Sequence, residues 1–206
     1  MGLLYCVENH LYTLVDLVAK TLVKTGGFLT WPDKTDEGVL QPFVLDLTTI
    51  LNHPRVFLRV ASGLLRIVGR KVGLESFEFL AGVPLAGVPY ASYICTKTGK
   101  PMLLVRERAR GKLVEGPLKM GDRVLVIDDS VATGRQILST ASKIVSEGGV
   151  VEQAVVIMCQ SQSAVERLKN NGITLHELID FKSLVRSLKR LDALTDEEYE
   201  TLLSKA

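Results

Sequence analysis

One stretch limits the possible folds more than any other: Val124 to Ile137, which reads V-L-V-I-D-D-S-V-A-T-G-R-Q-I. Val124 to Ile127 are four consecutive β-favouring apolar residues, the pattern of a strand buried on both faces, and such strands belong to parallel sheets covered by helices. The strand is expected to end abruptly at two carboxylates, Asp128 and Asp129. Small residues follow at Ser130, Ala132, Thr133 and Gly134, and Gln136-Ile137-Leu138 opens a helical pattern. The unit is therefore strand, acidic and hydroxyl-bearing loop, helix start.

A loop of this kind points successive backbone N–H groups and the positive end of a helix dipole at a phosphate, and Ser130 and Thr133 add hydroxyl donors. The aspartates cannot join them, because like charges repel. They suit the neutral hydroxyls of a sugar, or a metal ion close by. A ligand with a phosphate at one end and a diol beside it, a ribose 5-phosphate, satisfies both halves. A buried strand followed by an ordinary αβ turn is the plainer alternative, and D-D after an apolar strand also occurs in receiver domains.

The T-G pair at this offset decides between them. The stretch resembles the phosphoribosyl pyrophosphate (PRPP) signature of type I phosphoribosyltransferases, in which two acidic residues follow an apolar strand and T-G opens the phosphate loop. The resemblance implies an α/β fold, a doubly wound parallel sheet of the type I phosphoribosyltransferase kind with a small N-terminal hood. It gives Ser130, Val131, Ala132, Thr133, Gly134, Arg135 and Gln136 the 5-phosphate, and Asp128 and Asp129 the ribose, with Mg2+ as cofactor near the two aspartates.

Upstream, Leu4, Val7, Leu11, Leu14, Val15, Val18 and Leu22 recur at three- and four-residue steps, predicting an amphipathic helix from about Leu3 to Lys24 that Gly26-Gly27 stops. His10 sits near its apolar stripe and reads as a hydrogen-bonded packing residue. Phe28 to Thr30 and Pro42 to Leu47 read as two strands of the hood around a polar turn, Pro32 to Gly38. A helix follows from about Arg55 to Val72, with His53 as a turn residue before it. From Phe77 onward strands and helices alternate: strands at 77–83, 101–105, 124–127, 153–159 and 173–179, helices at 90–96, 136–147 and 163–170. Ser163-x-x-Glu166 and Thr195-x-x-Glu198 read as capping boxes. This alternation predicts right-handed crossovers and ligands at the carboxyl ends of the strands.

The closest branch is orotate phosphoribosyltransferase, over about residues 40 to 185. The clues are G-V-P-L-A-G-V-P from Gly82 to Pro89, P-M-L-L-V-R from Pro101 to Arg106, and K-L-V-E-G from Lys112 to Gly116. In that family the first is the pyrophosphate loop, which implies a pyrophosphate-binding role for Pro84, Leu85, Ala86 and Gly87. The basic run after the strand at 101–105 resembles the mobile catalytic loop, implying catalytic roles for Arg106, Arg110 and Lys112 beside Asp128 and Asp129. It is shorter than the family loop, has Glu107 and Arg110 where lysines stand, and lacks the histidine. The base-binding positions map to Lys34, Ala132 and Gln160, with Gln41-Pro42 in place of a serine-proline step. Ala132 replaces a threonine and Gln160 an arginine that meets orotate, a charge-assisted bond of roughly 1.5–3 kcal/mol.

The expected activity is transfer of the phosphoribosyl group from PRPP to a nitrogenous base, orotate first. Ala132 and Gln160 keep a purine or uracil open, and the altered basic loop keeps open a non-catalytic PRPP- or nucleotide-binding regulator. Residues 1–206 read as one domain: hood mainly 1–50, sheet core about 51–185, C-terminal helices to 206. The resemblance implies a homodimer with shared active sites. A net charge of +2 calls for no polyanion partner, so no nucleic acid is expected. Cys6, Cys95 and Cys159 lie far apart without metal-ligand spacing and read as thiols in a reducing compartment. Glu8, His10 and Asp16 interrupt the first 23 residues and no run approaches the ~20 apolar residues of a membrane span, so a cytoplasmic protein is expected.

Overall fold

The computed structural model describes residues 13–30, 33–34, 40–41, 43–108 and 111–205, with the backbone alone at 33–34, 40–41 and 205. Helix α1 (Leu14–Thr25) opens on a capping box: the Thr13 hydroxyl accepts from the Asp16 N–H, and Asp16 accepts from the Thr13 N–H. Because Thr13 is extended and takes the N-cap, the described helix starts at Leu14; the stretch of the expected helix before Thr13, with Cys6 and His10, lies outside the described residues. Gly26, at φ +69°, closes α1 in the left-handed conformation.

The hood consists of two antiparallel pairs. Strand β1 (Phe28–Leu29) pairs with β4 (Val44–Leu45), and β2 (Asp33–Lys34) pairs with β3 (Leu40–Gln41). The expected polar turn thus starts later than Pro32, since Asp33 and Lys34 are strand residues; 35–39 and Pro42 lie outside the described residues. A 3-10 turn (Leu47–Asn52) capped by Asp46 leads to α2 (Pro54–Ile67), which continues through a wider turn to Val72. Then come β5 (Phe79–Gly82), α3 (Gly87–Thr98), β6 (Met102–Val105) and β7 (Val114–Glu115). Next follow β8 (Val124–Val131), α4 (Arg135–Ser146), β9 (Gln153–Cys159), α5 (Gln162–Asn170), β10 (Thr174–Asp180), α6 (Phe181–Arg190) and α7 (Asp196–Lys205).

The main sheet has the order β10-β9-β8-β5-β6-β7, parallel throughout except for β7, which runs antiparallel to β6 at the edge. Alternation along the strands sends side chains to two separate cores. Leu80, Leu125, Ile127, Val155 and Ile157 pack with α1, α2, α3 and α6, whereas Ala81, Val124, Val126, Ala154 and Val156 pack with α4 and α5. This is the doubly wound arrangement predicted, and it puts β8 in the middle with helices on both faces. At the carboxyl end of the sheet, Phe43 stacks on Phe28 at 5.9 Å and on Phe181 at 5.1 Å, tying the hood to the start of α6.

Three local expectations change. The edge strand β7 uses Val114 and Glu115, which the sequence pattern had left in the basic loop; the loop folds back and pairs Val105 with Val114. Helix α3 begins at Gly87 rather than Tyr90. The N-cap of α5 is Ser161, whose hydroxyl bonds the Ser163 hydroxyl and caps no backbone N–H, so Ser163-x-x-Glu166 is not a capping box. Thr195 and Glu198 do form one, with reciprocal bonds of 2.7 and 3.2 Å.

Candidate active site

Strand β8 does not stop at Ile127. Its ladder with β9 continues through Asp128↔Val156, Ser130↔Met158 and Val131↔Cys159, because backbone pairing is indifferent to whether the side chain is apolar. The two carboxylates therefore stand on the last residues of a central strand, 2 % and 8 % exposed. Asp128 Oδ1 accepts from the Asp129 N–H at 2.9 Å and Asp129 Oδ1 from the Ser130 N–H at 2.5 Å, while Asp128 Oδ2 is buried without a partner. Burial pushes the Asp128 carboxyl well up, and the negative charge of Asp129 pushes it further. Burial also raises Asp129, with Asp46 adding its negative charge. Two carboxylates that resist ionisation side by side are poised for donors, such as hydroxyls or a cation, that make both charges tolerable.

The chain then turns through Ala132 and Thr133 into Gly134, the N-cap of α4. At φ +83° it adopts a conformation that favours glycine, and an added Cβ would also meet Leu168 at 3.2 Å. Gly134 supplies no side-chain cap to α4, and the Thr133 hydroxyl accepts from the first helical N–H, that of Arg135, at 3.5 Å; the positive end of the helix dipole lies beside this loop, as an anion requires. Arg135 and Gln136 are exposed at this end; Ser130, Ala132 and Thr133 are half-buried and Val131 is buried in the strand. The Gln160 N–H donates to the Val131 carbonyl at 2.8 Å, which sets Gln160 beside this loop. Gln160 lines a cleft of about 340 Å³ at the carboxyl ends of β9 and β10, together with Glu177, Asp180, Phe181 and Lys182. Glu177 accepts from the Cys159 N–H at 3.1 Å, a role no sequence pattern indicated.

The loop between β5 and α3 sits against the same strand end. The Val83 N–H donates to the Ile127 carbonyl at 2.9 Å, and the Pro84–Leu85 peptide is cis. Of the four residues expected to offer amides, Pro84 has no N–H and Gly87 donates its own to the Val83 carbonyl at 3.0 Å. The loop's remaining N–H groups belong to Leu85, whose side chain is 84 % exposed, and Ala86. Gly87 admits no side chain: an added Cβ would lie 2.1 Å from the Ile127 carbonyl oxygen and 3.1 Å from the Asp128 Cα. That contact brings the start of α3 directly onto the acid pair.

The basic loop is a hairpin closed by the Arg106 N–H to the Leu113 carbonyl at 2.9 Å and by the Leu113 N–H to Glu147 at 3.0 Å. Arg106 pairs with Glu115 at 3.1 Å and Lys112 reaches the Gly116 carbonyl at 3.4 Å, both exposed. Arg110 and the Lys34 side chain lie outside the described residues. Among the described residues no three His, Cys, Asp or Glu side chains are grouped to hold a metal ion. No helix among them is long and apolar enough to cross a membrane.

No protein-family model matches the chain. It is 33% identical over 185 residues to the orotate phosphoribosyltransferase of Sulfolobus acidocaldarius, covering 88% of this chain and 89% of that protein. The crystal structure of orotate phosphoribosyltransferase from Aeropyrum pernix superposes with a TM-score of 0.71 at 26% identity, covering 86% of this chain and 99% of that one. The UMP synthase of Leishmania donovani superposes with a TM-score of 0.80 at 25% identity over 92% of this chain, which spans 41% of that longer protein.

Proposed function

The chain belongs to the orotate phosphoribosyltransferase family, and from that premise we propose how its residues carry the reaction. The protein transfers the phosphoribosyl group of PRPP to orotate, giving orotidine 5'-phosphate and pyrophosphate. The observation that carries the site assignment is the buried acid pair at the end of β8, with Asp128 Oδ2 unpaired, beside the glycine-led start of α4.

In this reading the N–H groups at the start of α4, with Ser130, Thr133 and the loop between them, grip the 5-phosphate. Asp128 and Asp129 accept from the ribose hydroxyls; as the bond from the anomeric carbon to pyrophosphate breaks, their charge favours the positive ribose. The N–H groups of Leu85 and Ala86 receive the departing pyrophosphate. Arg106, Arg110 and Lys112 neutralise its charge; Arg106 leaves Glu115 readily, because an exposed ion pair is worth only ~0–1 kcal/mol. Gln160, with Ala132 and Lys34, faces the base.

Magnesium fits this site as an ion brought by PRPP, held by one or two carboxylates and the phosphates rather than by an all-protein cage. Asp128 and Asp129 would hold it, and it would supply charge stabilisation for the pyrophosphate. A homodimer that shares the basic loop between sites, one phosphoribosyltransferase domain over residues 1–206, and a cytoplasmic location complete the reading. The resemblance of the loop and its exposure support the first.

The test measures pyrophosphate release from PRPP and magnesium with orotate, uracil and adenine. Orotate is expected to be the preferred base, and the Asp128→Asn/Asp129→Asn protein to turn over at least ~10²-fold more slowly while still folded. Unchanged turnover in the double variant would remove these residues from the site.

A further inference from the structure

Among the described residues, two buried side-chain polar atoms lack a hydrogen-bond partner: Asp128 Oδ2 and the Tyr90 hydroxyl. The ribose reading accounts for the first and leaves the second unused. Tyr90, on α3, is 1 % exposed, lies in the core between α2 and the sheet, and tilts against Phe57 of α2 with ring centroids 5.2 Å apart. Phenylalanine would fill this space as well, and would not bury a hydroxyl that finds no partner. Packing of the ligand-free chain therefore explains the ring and not its oxygen.

Position supplies the missing explanation. Tyr90 stands one turn after Gly87, on the face of α3 that Gly87 presses against Ile127 and Asp128. On β8 the side chains that alternate toward this layer are Leu125, Ile127 and next in the series Asp129. The phenol feels that carboxylate: burial and the charge of Asp129 both push the Tyr90 hydroxyl up. Asp129 has spent Oδ1 on the Ser130 N–H, and a carboxylate accepts several bonds.

We infer that Tyr90 is a positioning residue for Asp129: in the PRPP-bound protein its hydroxyl donates to that carboxylate and holds it toward the ribose hydroxyls. The inference rests on the ribose-binding role proposed above for the acid pair. It explains why an oxygen without a partner in the free protein sits one layer from the site.

Tyr90→Phe tests it. In the free protein the thermal midpoint is expected to stay level or rise, since an unpaired buried hydroxyl is removed. The rise in midpoint on adding PRPP and magnesium should shrink, and kcat/KM for PRPP should fall about tenfold, the scale of one hydrogen bond to a charged group. The KM for orotate should hold. In an Asp129→Ala background Tyr90→Phe should have no further effect, because the alanine offers the phenol no acceptor and both changes break the same contact. An active wild type matched by Tyr90→Phe in both PRPP readouts overturns this inference alone. Additive losses in the double variant overturn it too. A wild type that neither turns over orotate nor is stabilised by PRPP overturns the reading of the site, and the role of Tyr90 with it.

Discussion

Gly87→Ala measures how closely the active site depends on the approach of α3 to β8. The new Cβ would lie 2.1 Å from the Ile127 carbonyl oxygen, 3.0 Å from its carbon and 3.1 Å from the Asp128 Cα. All three are backbone atoms, so no rotamer change relieves the clash. Restoring ordinary contact, with carbons at ~3.5 Å or more, moves the first turn of α3 back by roughly 1 Å. That retreat strains the bonds from the Val83 N–H to Ile127 and from the Gly87 N–H to Val83, now 2.9 and 3.0 Å. Overpacking costs about 1–3 kcal/mol and each weakened hydrogen bond about 1. Against this stands a gain of at most about 1 kcal/mol from alanine's helix propensity. The net expectation is a loss of about 2–4 kcal/mol. Activity should fall about 10²-fold, because a displacement of ~1 Å at a reacting centre has that effect. Urea unfolding gives the first number, and kcat/KM for orotidine 5'-phosphate formation, measured well below the unfolding transition, gives the second. Gly69→Ala is the control: Gly69 is exposed with nothing within 4 Å of an added Cβ, so the change should be neutral or stabilise by about 0.5–1 kcal/mol. A Gly87→Ala protein as stable and active as wild type would refute the close-approach argument.

Two further expectations concern stability and base choice. Bonds from Ser187, and also from Thr13 and Arg190, hold the Asp16 carboxyl down at about 2, and they tie α1 to α6. A depressed carboxyl stabilises the fold above its unfolded value, here 3.8, and loses that effect as pH falls through about 2. Asp16→Ala should therefore cost about 1–2 kcal/mol at pH 7, from the lost cap and bridge, with the gap to wild type narrowing steadily below pH 4. Urea midpoints at pH 7, 4 and 3 check this, and a gap independent of pH would contradict it. If Gln160 faces the base as proposed, Gln160→Arg places a fixed cation beside the loop after β8 and should raise kcat/KM for orotate relative to uracil and adenine. A folded variant that loses orotate activity would show that Gln160 does not face the base.

Much of the backbone around the candidate site was legible because the motif's chemistry and its fold share a code. An apolar run ending in D-D and T-G specifies a buried strand, a tight loop and a helix start together, and β8, Gly134 and α4 follow it. The errors have a common physical origin: hydrophobic pattern reports burial, and backbone pairing and capping do not depend on burial. Strand β8 continues under two aspartates because β9 supplies its ladder. Helix α1 starts at Leu14, just after Thr13, although the apolar spacing runs unbroken across that point, because a T-L-V-D capping box outweighs periodicity there. Strand β7 has two residues, too few for any alternation to register. The inferred role of Tyr90 was unreadable in the sequence, since only the contact of Gly87 with β8 reveals which way that face of α3 looks.

The antiparallel edge made by β7 has a consequence for reach. Because the Arg106 N–H and the Leu113 carbonyl are bonded, only the six residues from Glu107 to Lys112 lie beyond that bond. The loop's two ends are thus already brought together, and the chain-closure entropy that a longer open loop would lose is lost in the fold itself. The same tether sets a radius of action. A span this short, fully extended at ~3.3–3.6 Å per residue and obliged to go out and return, carries its backbone tip no more than about 12 Å from the hairpin end. Any pyrophosphate these cations neutralise, in this subunit or a neighbour, must lie within that radius extended by the length of an Arg or Lys side chain, so the edge of the sheet limits how far off a second subunit can stand if a site is shared.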